Sequence, residues 1–168
     1  MIRKTLLFAG ILSFIFSSCQ DANELYPTIP CEFEDVEVPA EETDSLASWL
    51  SSEGISATKD ARGFYYIVDS FGDEERIEHC YDVNVNYKVY LLDGSYVDAG
   101  TNTGFRVSGT IKGFGYGLTL IGNGGRVTLF LPPSLAYGET GSSPAVGPDE
   151  YLIFEVKMNS MVKNNSTY

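Results

Sequence analysis

The stretch Arg126–Met158 most constrains what this chain can fold into, because two alternating apolar runs flank a long loop. Every second residue is apolar on both sides of that loop, at Val127, Leu129 and Leu131 and again at Leu152, Phe154, Val156 and Met158. A period of two predicts two β-strands that each place one face on a core. The loop begins at Pro132-Pro133 and is long for a hairpin. Since such loops often carry binding groups, we expect this one to matter for function; it contains Tyr137, Gly138, Gly141, Ala145 and Val146.

The chain begins with a segment typical of export. Two basic residues precede the apolar run Leu6–Phe16, which is too short to span a bilayer. Two serines then precede Cys19, an order that resembles a bacterial lipoprotein signal. This predicts a signal peptide at residues 1–18 and lipid on Cys19, which would hold the protein at a membrane through acyl chains alone. We therefore expect a lipid-anchored protein of the bacterial cell envelope, on the periplasmic or surface face of the outer membrane. An ordinary secretory peptide with a free Cys19 is the alternative.

The cysteine count suggests how the N-terminal arm is attached. The chain has 3 cysteines, so lipid on Cys19 would leave Cys31 and Cys80 as an even pair in an oxidising compartment. A disulfide between them would close a loop of about 50 residues and stabilise the fold by roughly 4 kcal/mol. Two buried free thiols are the alternative.

Residues 19–59 combine an acidic tether with one short helix. The tether contains three prolines and shows no period up to residue 42. Apolar residues at i, i+3 and i+4 predict a helix over Asp44–Glu53, capped by its first residue or by Thr43 and ended by Gly54. Because this helix contains the single Trp of the chain, we expect it to dock on the domain that follows.

Residues 60–162 have the short alternations and frequent turns of one β-rich domain, followed by a polar tail at 163–168. The pattern predicts strands at Gly63–Asp69, Arg76–Cys80, Val83–Leu92, Ser95–Asp98 and Phe105–Ser108, with Asp93-Gly94 as a two-residue turn and 99–104 as a loop. The three glycines between Thr110 and Ile121 each cost a helix roughly 1 kcal/mol relative to Ala, so we interpret this segment as a short glycine-permitted helix that packs closely on the sheet. The predicted class is α+β with an antiparallel sheet.

Charge and motif content exclude several classes of function. The formal net charge of −12 gives no attraction for nucleic acid phosphates or anionic lipid head groups. His79 is the only histidine, which argues against a zinc site and against a His-dependent triad. The glycines of Ile111–Leu118 lack the spacing of a P-loop or a dinucleotide fingerprint. We therefore expect no cofactor, no metal, no nucleic acid partner and no membrane contact beyond a lipid anchor.

Four segments, in this order, resemble the FKBP-type peptidyl-prolyl cis-trans isomerases. They are VNYKVYLLDGSYVD (Val85–Asp98), IKGFGYGL (Ile111–Leu118), GGRVTLFLPPSLAYGETG (Gly124–Gly141) and LIFEV (Leu152–Val156). The resemblance covers Gly63–Met161. The N-terminal arm and the helix at Asp44 also resemble the extension found on lipoprotein members of this family, of a Bacteroidetes-like kind. It implies a twisted antiparallel sheet wrapped around one short α-helix, with an N-terminal tether and short helix in front.

The same resemblance implies an apolar pocket that acts on proline-containing polypeptides and also takes macrolides. Its catalytic groups would be Asp98, Tyr137 and the backbone N–H of Ile111, and its substrate-binding residues would be Tyr87, Val97, Phe105, Thr110, Phe114, Val146 and Phe154. The implied activity is isomerisation of Xaa-Pro bonds, which would assist the folding of exported proteins.

Three departures from the family pattern keep other functions open. Phe114 stands where the family usually has Trp, Val97 where it usually has Phe, and Gly147 where it usually has Pro. Each change trims aromatic surface or loop contact, so reduced turnover is expected. The alternatives are an FKBP-fold chaperone or peptide-binding module of a surface complex, with weak or no isomerase activity, and a structural accessory with a vestigial pocket.

Overall fold

The computed structural model describes residues 35–78 and 80–163. Its helices and strands are α1 (Ala40–Ser52), β1 (Thr58–Lys59), β2 (Tyr65–Ser70), β3 (Tyr81–Leu91), β4 (Tyr96–Arg106), α2 (Lys112–Leu118), β5 (Arg126–Leu131) and β6 (Leu152–Lys163). Short 3-10 turns occur at Val107–Gly109, Pro133–Leu135 and Gly138–Thr140. The predicted signal peptide, Cys19, Cys31, His79 and the tail from residue 164 lie outside the described residues.

The strands form one antiparallel sheet in the order β1-β2-β5-β6-β3-β4. The predicted pair of strands in Arg126–Met158 is confirmed as β5 and β6, which are neighbours in the middle of the sheet. Leu131 pairs with Leu152, so the loop between them, residues 132–151, leaves and re-enters the sheet at one place. We call residues 132–151 the lid.

The inner face of the sheet packs on α2, and two glycines make this close approach possible. A Cβ added at Gly113 would lie 2.7 Å from Leu131 Cδ2, and one added at Gly117 would overlap the side chain of Leu129. The helix therefore contacts β5 through its backbone, and Phe114, Tyr116 and Leu118 are buried around it. This confirms the expectation of a short glycine-permitted helix packed closely on the sheet.

The outer face of the sheet is covered in part by α1. Leu46 and Leu50 are buried there against Phe130, and the Trp49 ring lies 6.2 Å from the Phe130 ring. The expected docking of the tryptophan-containing helix is confirmed. Phe130 explains why the apolar pattern of β5 is not a strict alternation, since both faces of this strand are buried.

The start of α1 differs from the prediction. The helix begins at Ala40 after Pro39, and no side chain caps it. Thr43 lies inside the helix, where it is buried and donates its hydroxyl to Gly63 O at 3.4 Å. Val38 packs on the inner core, so residues 35–39 are not a free tether as the acidic composition suggested.

The end of α1 follows the prediction. Gly54 has a φ of +68°, which a residue without a Cβ adopts easily. The Gly54 N–H donates to Ser51 O at 3.2 Å and the Ile55 N–H to Leu50 O at 2.9 Å, the paired bonds of a Schellman motif.

Three strand predictions are wrong in detail. β4 combines most of the predicted strand Ser95–Asp98, the predicted loop 99–104 and the first two residues of the predicted strand Phe105–Ser108, whose last two residues lie in a 3-10 turn. Four of the six residues of the predicted loop pair with β3, and β4 accommodates the others through register irregularities. The four are Ala99, Gly100, Thr103 and Gly104. The described residues of Arg76–Cys80 form no strand. The hairpin turn has three residues, because Leu91 N–H donates to Ser95 O and Gly94 takes the positive φ.

Cys80 is disulfide-bonded, which contradicts the alternative of a free thiol at this position. Because Cys31 lies outside the described residues, its pairing with Cys80 stays a prediction.

Gly117→Ala should destabilise the domain by about 1–3 kcal/mol, because the added methyl group overlaps Leu129 and forces α2 away from β5. Gly104→Ala is the matched control, since the nearest atom to its added Cβ is Val83 O at 4.0 Å. Urea denaturation of both variants measures the difference. Equal midpoints for the two variants would show that the approach of α2 does not depend on Gly117.

Candidate active site

A cavity of about 320 Å³ lies between the inner face of the sheet and the start of α2. It is lined by side chains of β3, β4, α2 and β6, by the 3-10 turn before α2 and by the lid: Tyr87, Val89, Val97, Asp98, Phe105, Gly109, Thr110, Ile111, Phe114, Tyr137 and Phe154. The long loop of the opening stretch therefore contributes to this cavity through Tyr137.

A continuous row of four aromatic rings forms one wall of the cavity. Tyr87 contacts Phe105 with 5.6 Å between ring centroids, and Phe105 contacts Phe114 at 5.8 Å, both edge to face. Phe114 then contacts Phe154 at 5.2 Å. Phe114 and Phe154 are buried, so this part of the wall is apolar and held away from water. Edge-to-face pairs hold each ring in a defined orientation.

Tyr87 and Asp98 form the polar edge of the cavity. The Tyr87 hydroxyl donates to Asp98 Oδ2 at 2.8 Å, and the Ala99 N–H donates to Asp98 Oδ1 at the same distance. Tyr87 can lie against β4 because Gly100 opposes it in the strand register, where any Cβ would overlap the ring. Both carboxylate oxygens therefore have a donor, while the Asp98 side chain stays exposed to solvent.

The pKa of Tyr87 is raised to about 12, first by burial and then by the hydrogen bond to the negatively charged Asp98 carboxylate. Both causes disfavour the phenolate, because one removes water from it and the other places a negative charge beside it. Tyr87 is therefore a neutral donor at physiological pH, and it holds the carboxylate in one orientation.

The turn before α2 supplies a backbone donor. Thr110 uses both its N–H and its hydroxyl on Val107 O, at 3.2 and 2.8 Å, which fixes the turn but leaves Thr110 no hydroxyl proton for a ligand. Ile111 follows as the residue before the helix. Its backbone N–H donates to no other group within 35–78 and 80–163, so it can bind a carbonyl oxygen that enters the cavity.

The lid places Tyr137 at the cavity and Val146 elsewhere. Tyr137 is 38% exposed, and within the described part of the chain its hydroxyl makes no hydrogen bond. Val146 is buried in the core and paired with Ser142 through two backbone bonds of 3.0 and 2.8 Å. Of the predicted pocket residues, Val146 alone is absent from the cavity lining, and its position makes it a support of the lid.

Two residues of the lining were not predicted from the sequence. Val89 is two positions after Tyr87 on β3, so the period of two could have placed it on the same face. Gly109 ends the 3-10 turn before Thr110, and no sequence signal marked it as a wall of the cavity.

A second, larger groove of about 510 Å³ lies across β3, β5 and β6 and is lined mainly by polar and charged side chains. It has no aromatic wall, and it spreads over strand residues such as Lys88, Thr128 and Glu155. Size alone therefore does not select the candidate site, and the aromatic row and the convergent donors favour the smaller cavity. Among the described residues no group of three or more His, Cys, Asp or Glu side chains could hold a metal ion.

Comparison with known proteins agrees with this fold. The family model of the FKBP-type peptidyl-prolyl cis-trans isomerase matches residues 73–159, just over half of the chain. The chain therefore belongs to the FKBP-type peptidyl-prolyl cis-trans isomerase family. Its α+β fold, a twisted antiparallel sheet around a short helix, is that of the family.

Curated relatives are longer than this chain. It is 38% identical over 100 residues to the FKBP-type isomerase FkpA of Escherichia coli K12, covering 57% of this chain and 37% of that protein. It is 35% identical over 107 residues to the isomerase Mip of Coxiella burnetii, covering 61% of this chain and 46% of Mip. The chain thus spans less than half the length of these two relatives.

Solved structures give the same fold. The crystal structure of Escherichia coli FkpA superposes with a TM-score of 0.64 at 31% identity, over 74% of this chain and 59% of that chain. An isomerase from Pseudomonas syringae pv. tomato superposes with a TM-score of 0.64 at 23% identity, over 75% and 98% of the two chains, and shows the fold alone.

Asp98→Ala should lower the pKa of Tyr87 from about 12, while burial keeps it above the ordinary value. Because the folded-state pKa is raised, the neutral phenol stabilises the fold fully below about pH 10, and this contribution is lost as the pH rises toward 12. NMR titration of the tyrosine ring carbons measures the shift, with Tyr87→Phe assigning the resonance. An unchanged Tyr87 pKa in Asp98→Ala would contradict the pairing.

Proposed function

We propose that this protein is a peptidyl-prolyl cis-trans isomerase that acts on Xaa-Pro bonds of exported polypeptides. The observation that carries the proposal is the aromatic cavity with three polar groups at its edge: the Asp98 carboxylate, the Ile111 N–H and the Tyr137 hydroxyl. Such a site suits a reaction that needs neither a nucleophile nor a cofactor, and rotation about an amide bond is one.

The barrier to this rotation is electronic. A planar amide resists rotation by about 18–20 kcal/mol, because resonance between nitrogen and carbonyl must be broken. In Xaa-Pro bonds the cis and trans forms are close in energy but exchange over tens of seconds or more. A catalyst must therefore bind the twisted amide more tightly than either planar form.

The aromatic row supports this differential binding. A twisted amide has lost its resonance, so its carbonyl is less polar and enters an apolar environment at lower cost than a planar amide. Phe114 and Phe154 supply the buried apolar wall, and Phe105 and Tyr87 extend it toward the opening. The prolyl ring would pack on this wall while the bond beside it rotates.

The polar groups would orient the substrate around that ring. The Ile111 N–H would hold a substrate carbonyl in place, and the Tyr137 hydroxyl would donate a second hydrogen bond from the lid. Asp98 would place a fixed carboxylate beside the carbonyl carbon of the rotating bond, because Tyr87 and the Ala99 N–H hold both of its oxygens.

Of two departures from the family pattern, one keeps the aromatic wall of the cavity continuous and the other leaves it with one ring fewer. Phe114, in the place of the usual Trp, keeps contact with both Phe105 and Phe154, so the wall is continuous. Val97 lines the cavity with an aliphatic group and adds no ring to it. The missing ring favours a second candidate, an FKBP-fold chaperone or peptide-binding module with weak or no isomerase activity.

A protease-free isomerisation assay on an Xaa-Pro peptide separates the two functions. We expect acceleration by the protein, and a loss of about five- to tenfold in Asp98→Ala and in Tyr137→Phe, because each removes one polar contact to the bound bond. Tyr96→Phe is the control, since Tyr96 is 65% exposed and lies outside the cavity lining. Peptide or macrolide binding without acceleration would support the binding module.

We further propose that the protein is anchored in the cell envelope by lipid on Cys19, facing the periplasm or the cell surface from the outer membrane. None of the helices in the described residues is long and apolar enough to cross a membrane. The order of basic, apolar and small residues before Cys19 supports the lipid anchor.

Replacement of Cys19 by Ser should move the protein from the membrane fraction to the soluble fraction of a bacterial host. The control is Ser56→Ala, an exposed substitution that leaves every cysteine in place and should leave the membrane fraction unchanged. Incorporation of labelled palmitate into the unmodified protein measures lipidation directly. A Cys19→Ser variant that stays with the membrane would contradict the anchor.

A further inference from the structure

Glu42, in the first turn of α1, contacts the lid from outside the cavity. Its Oε1 accepts the Ser134 hydroxyl at 2.6 Å, and its Oε2 accepts the Ser134 backbone N–H at 3.0 Å. Its backbone carbonyl accepts the Tyr151 hydroxyl at 3.3 Å. Ser134 lies near the beginning of the lid and Tyr151 at its end. Glu42 therefore contacts both ends of the lid, which we call its stems.

The contacts of Ser134 are stronger than ordinary surface bonds. Both Ser134 donors meet an ionised acceptor, and such charge-assisted bonds are roughly twice as strong as neutral ones. Ser134 and Glu42 are both half-buried, which limits competition by water. The Ser134 N–H belongs to a 3-10 turn and has no acceptor within that turn, so the carboxylate satisfies a donor that would otherwise need water.

The lid between these stems is connected internally. The Asp149 N–H donates to Gly138 O at 3.0 Å, and the Gly141 N–H donates to Tyr137 O at 3.1 Å. The first bond links the part of the lid that carries Tyr137 to the part that returns to β6, and the second closes a turn that begins at Tyr137. A displacement of the stems would therefore also displace Tyr137, because the bond between Asp149 and Gly138 connects the two parts of the lid.

The first stem is also held from the inner side. Leu135, the neighbour of Ser134, is buried in the core. Its carbonyl oxygen is so close to α2 that a Cβ added at Gly113 would lie only 3.0 Å from it. The stem thus sits between α2, which is close to the Ile111 donor, and α1, which supplies Glu42. Both helices define where Tyr137 stands relative to Ile111.

We propose that Glu42 is a positioning residue that holds the lid, and thereby Tyr137, in the geometry needed for isomerisation. The effect on catalysis rests on the proposed function, whereas the effect on the lid does not. Within residues 35–78 and 80–163 the Glu42 carboxylate is hydrogen-bonded to Ser134 and to no residue of the cavity lining, so it would act on the reaction through Ser134 and the lid.

Glu42→Ala should loosen the lid, and hydrogen–deuterium exchange of the peptide covering residues 134–141 measures this directly. We expect exchange about tenfold faster, the change that corresponds to losing roughly one charge-assisted hydrogen bond. Glu41→Ala is the matched control, because Glu41 is the exposed neighbour on the same turn and its side chain makes no hydrogen bond within the described residues. Equal exchange in the two variants would overturn the proposal, whether or not the protein is an active isomerase.

The isomerisation rate tests the consequence for catalysis. We expect Glu42→Ala to lose about five- to tenfold, Glu42→Gln to recover part of the loss through its remaining acceptor oxygen, and Glu41→Ala to retain the full rate. Faster lid exchange in Glu42→Ala without a lower rate would overturn the positioning role. If the unmodified protein shows no isomerisation, the proposed function fails and the exchange experiment alone decides the contact between Glu42 and the lid.

Two further variants separate a loosened lid from a loosened helix. Trp49 reports whether α1 stays on the sheet, so its emission should be unchanged in Glu42→Ala. Ser134→Ala removes only the 2.6 Å bond without altering α1 and should show an intermediate effect. Combined with Glu42→Ala it should add nothing further, since the two residues share one interaction. Additive losses in the double variant would show that Glu42 acts on another part of the protein.

Discussion

The position of β6 between β5 and β3 is the constraint on which the rest of the structure depends. Phe154 of β6 is opposite Leu129 on one side and Val89 on the other, so one residue links the strand that packs on α2 to the strand that carries Tyr87. The neighbouring residue, Ile153, faces the other way and joins the contacts of α1. A single alternation along β6 thus supplies both the wall of the cavity and the platform of the N-terminal helix.

The parts of this structure that could be predicted from the sequence are those that depend on local chemistry. Alternating apolar residues predicted β5 and β6, and Gly54 predicted the end of α1. The close packing of α2 followed from glycines that would cost a solvated helix stability but allow a helix to approach a sheet. The aromatic residues proposed for the pocket came from the family resemblance, and the structure brings Tyr87, Phe105, Phe114 and Phe154 together around one cavity.

The rest depends on partners that are distant in the chain. Residues 99–104 look like a loop because they are polar, yet Ala99, Gly100, Thr103 and Gly104 pair with β3, and the whole stretch forms part of β4. Thr43 looks like a helix cap until its contact with Gly63 is seen. Val146 lies in the loop that contributes to the cavity but is turned into the core by its pairing with Ser142. The contact of Glu42 with Ser134 has no sequence signal, since 92 positions separate the two residues.

The exposed position of Asp98 is consistent with the chemistry that the cavity would perform. A carboxylate placed among the buried rings would lose its hydration, and the cost would either neutralise it or distort the site. At the edge it stays solvated on one side, while Tyr87 and the Ala99 N–H fix its orientation on the other. The apolar wall favours the twisted amide, which is less polar than the planar one. The carboxylate and the hydrogen-bond donors, by contrast, must point in a defined direction. Separating these two demands, with rings inside and polar groups at the edge, lets one small cavity satisfy both.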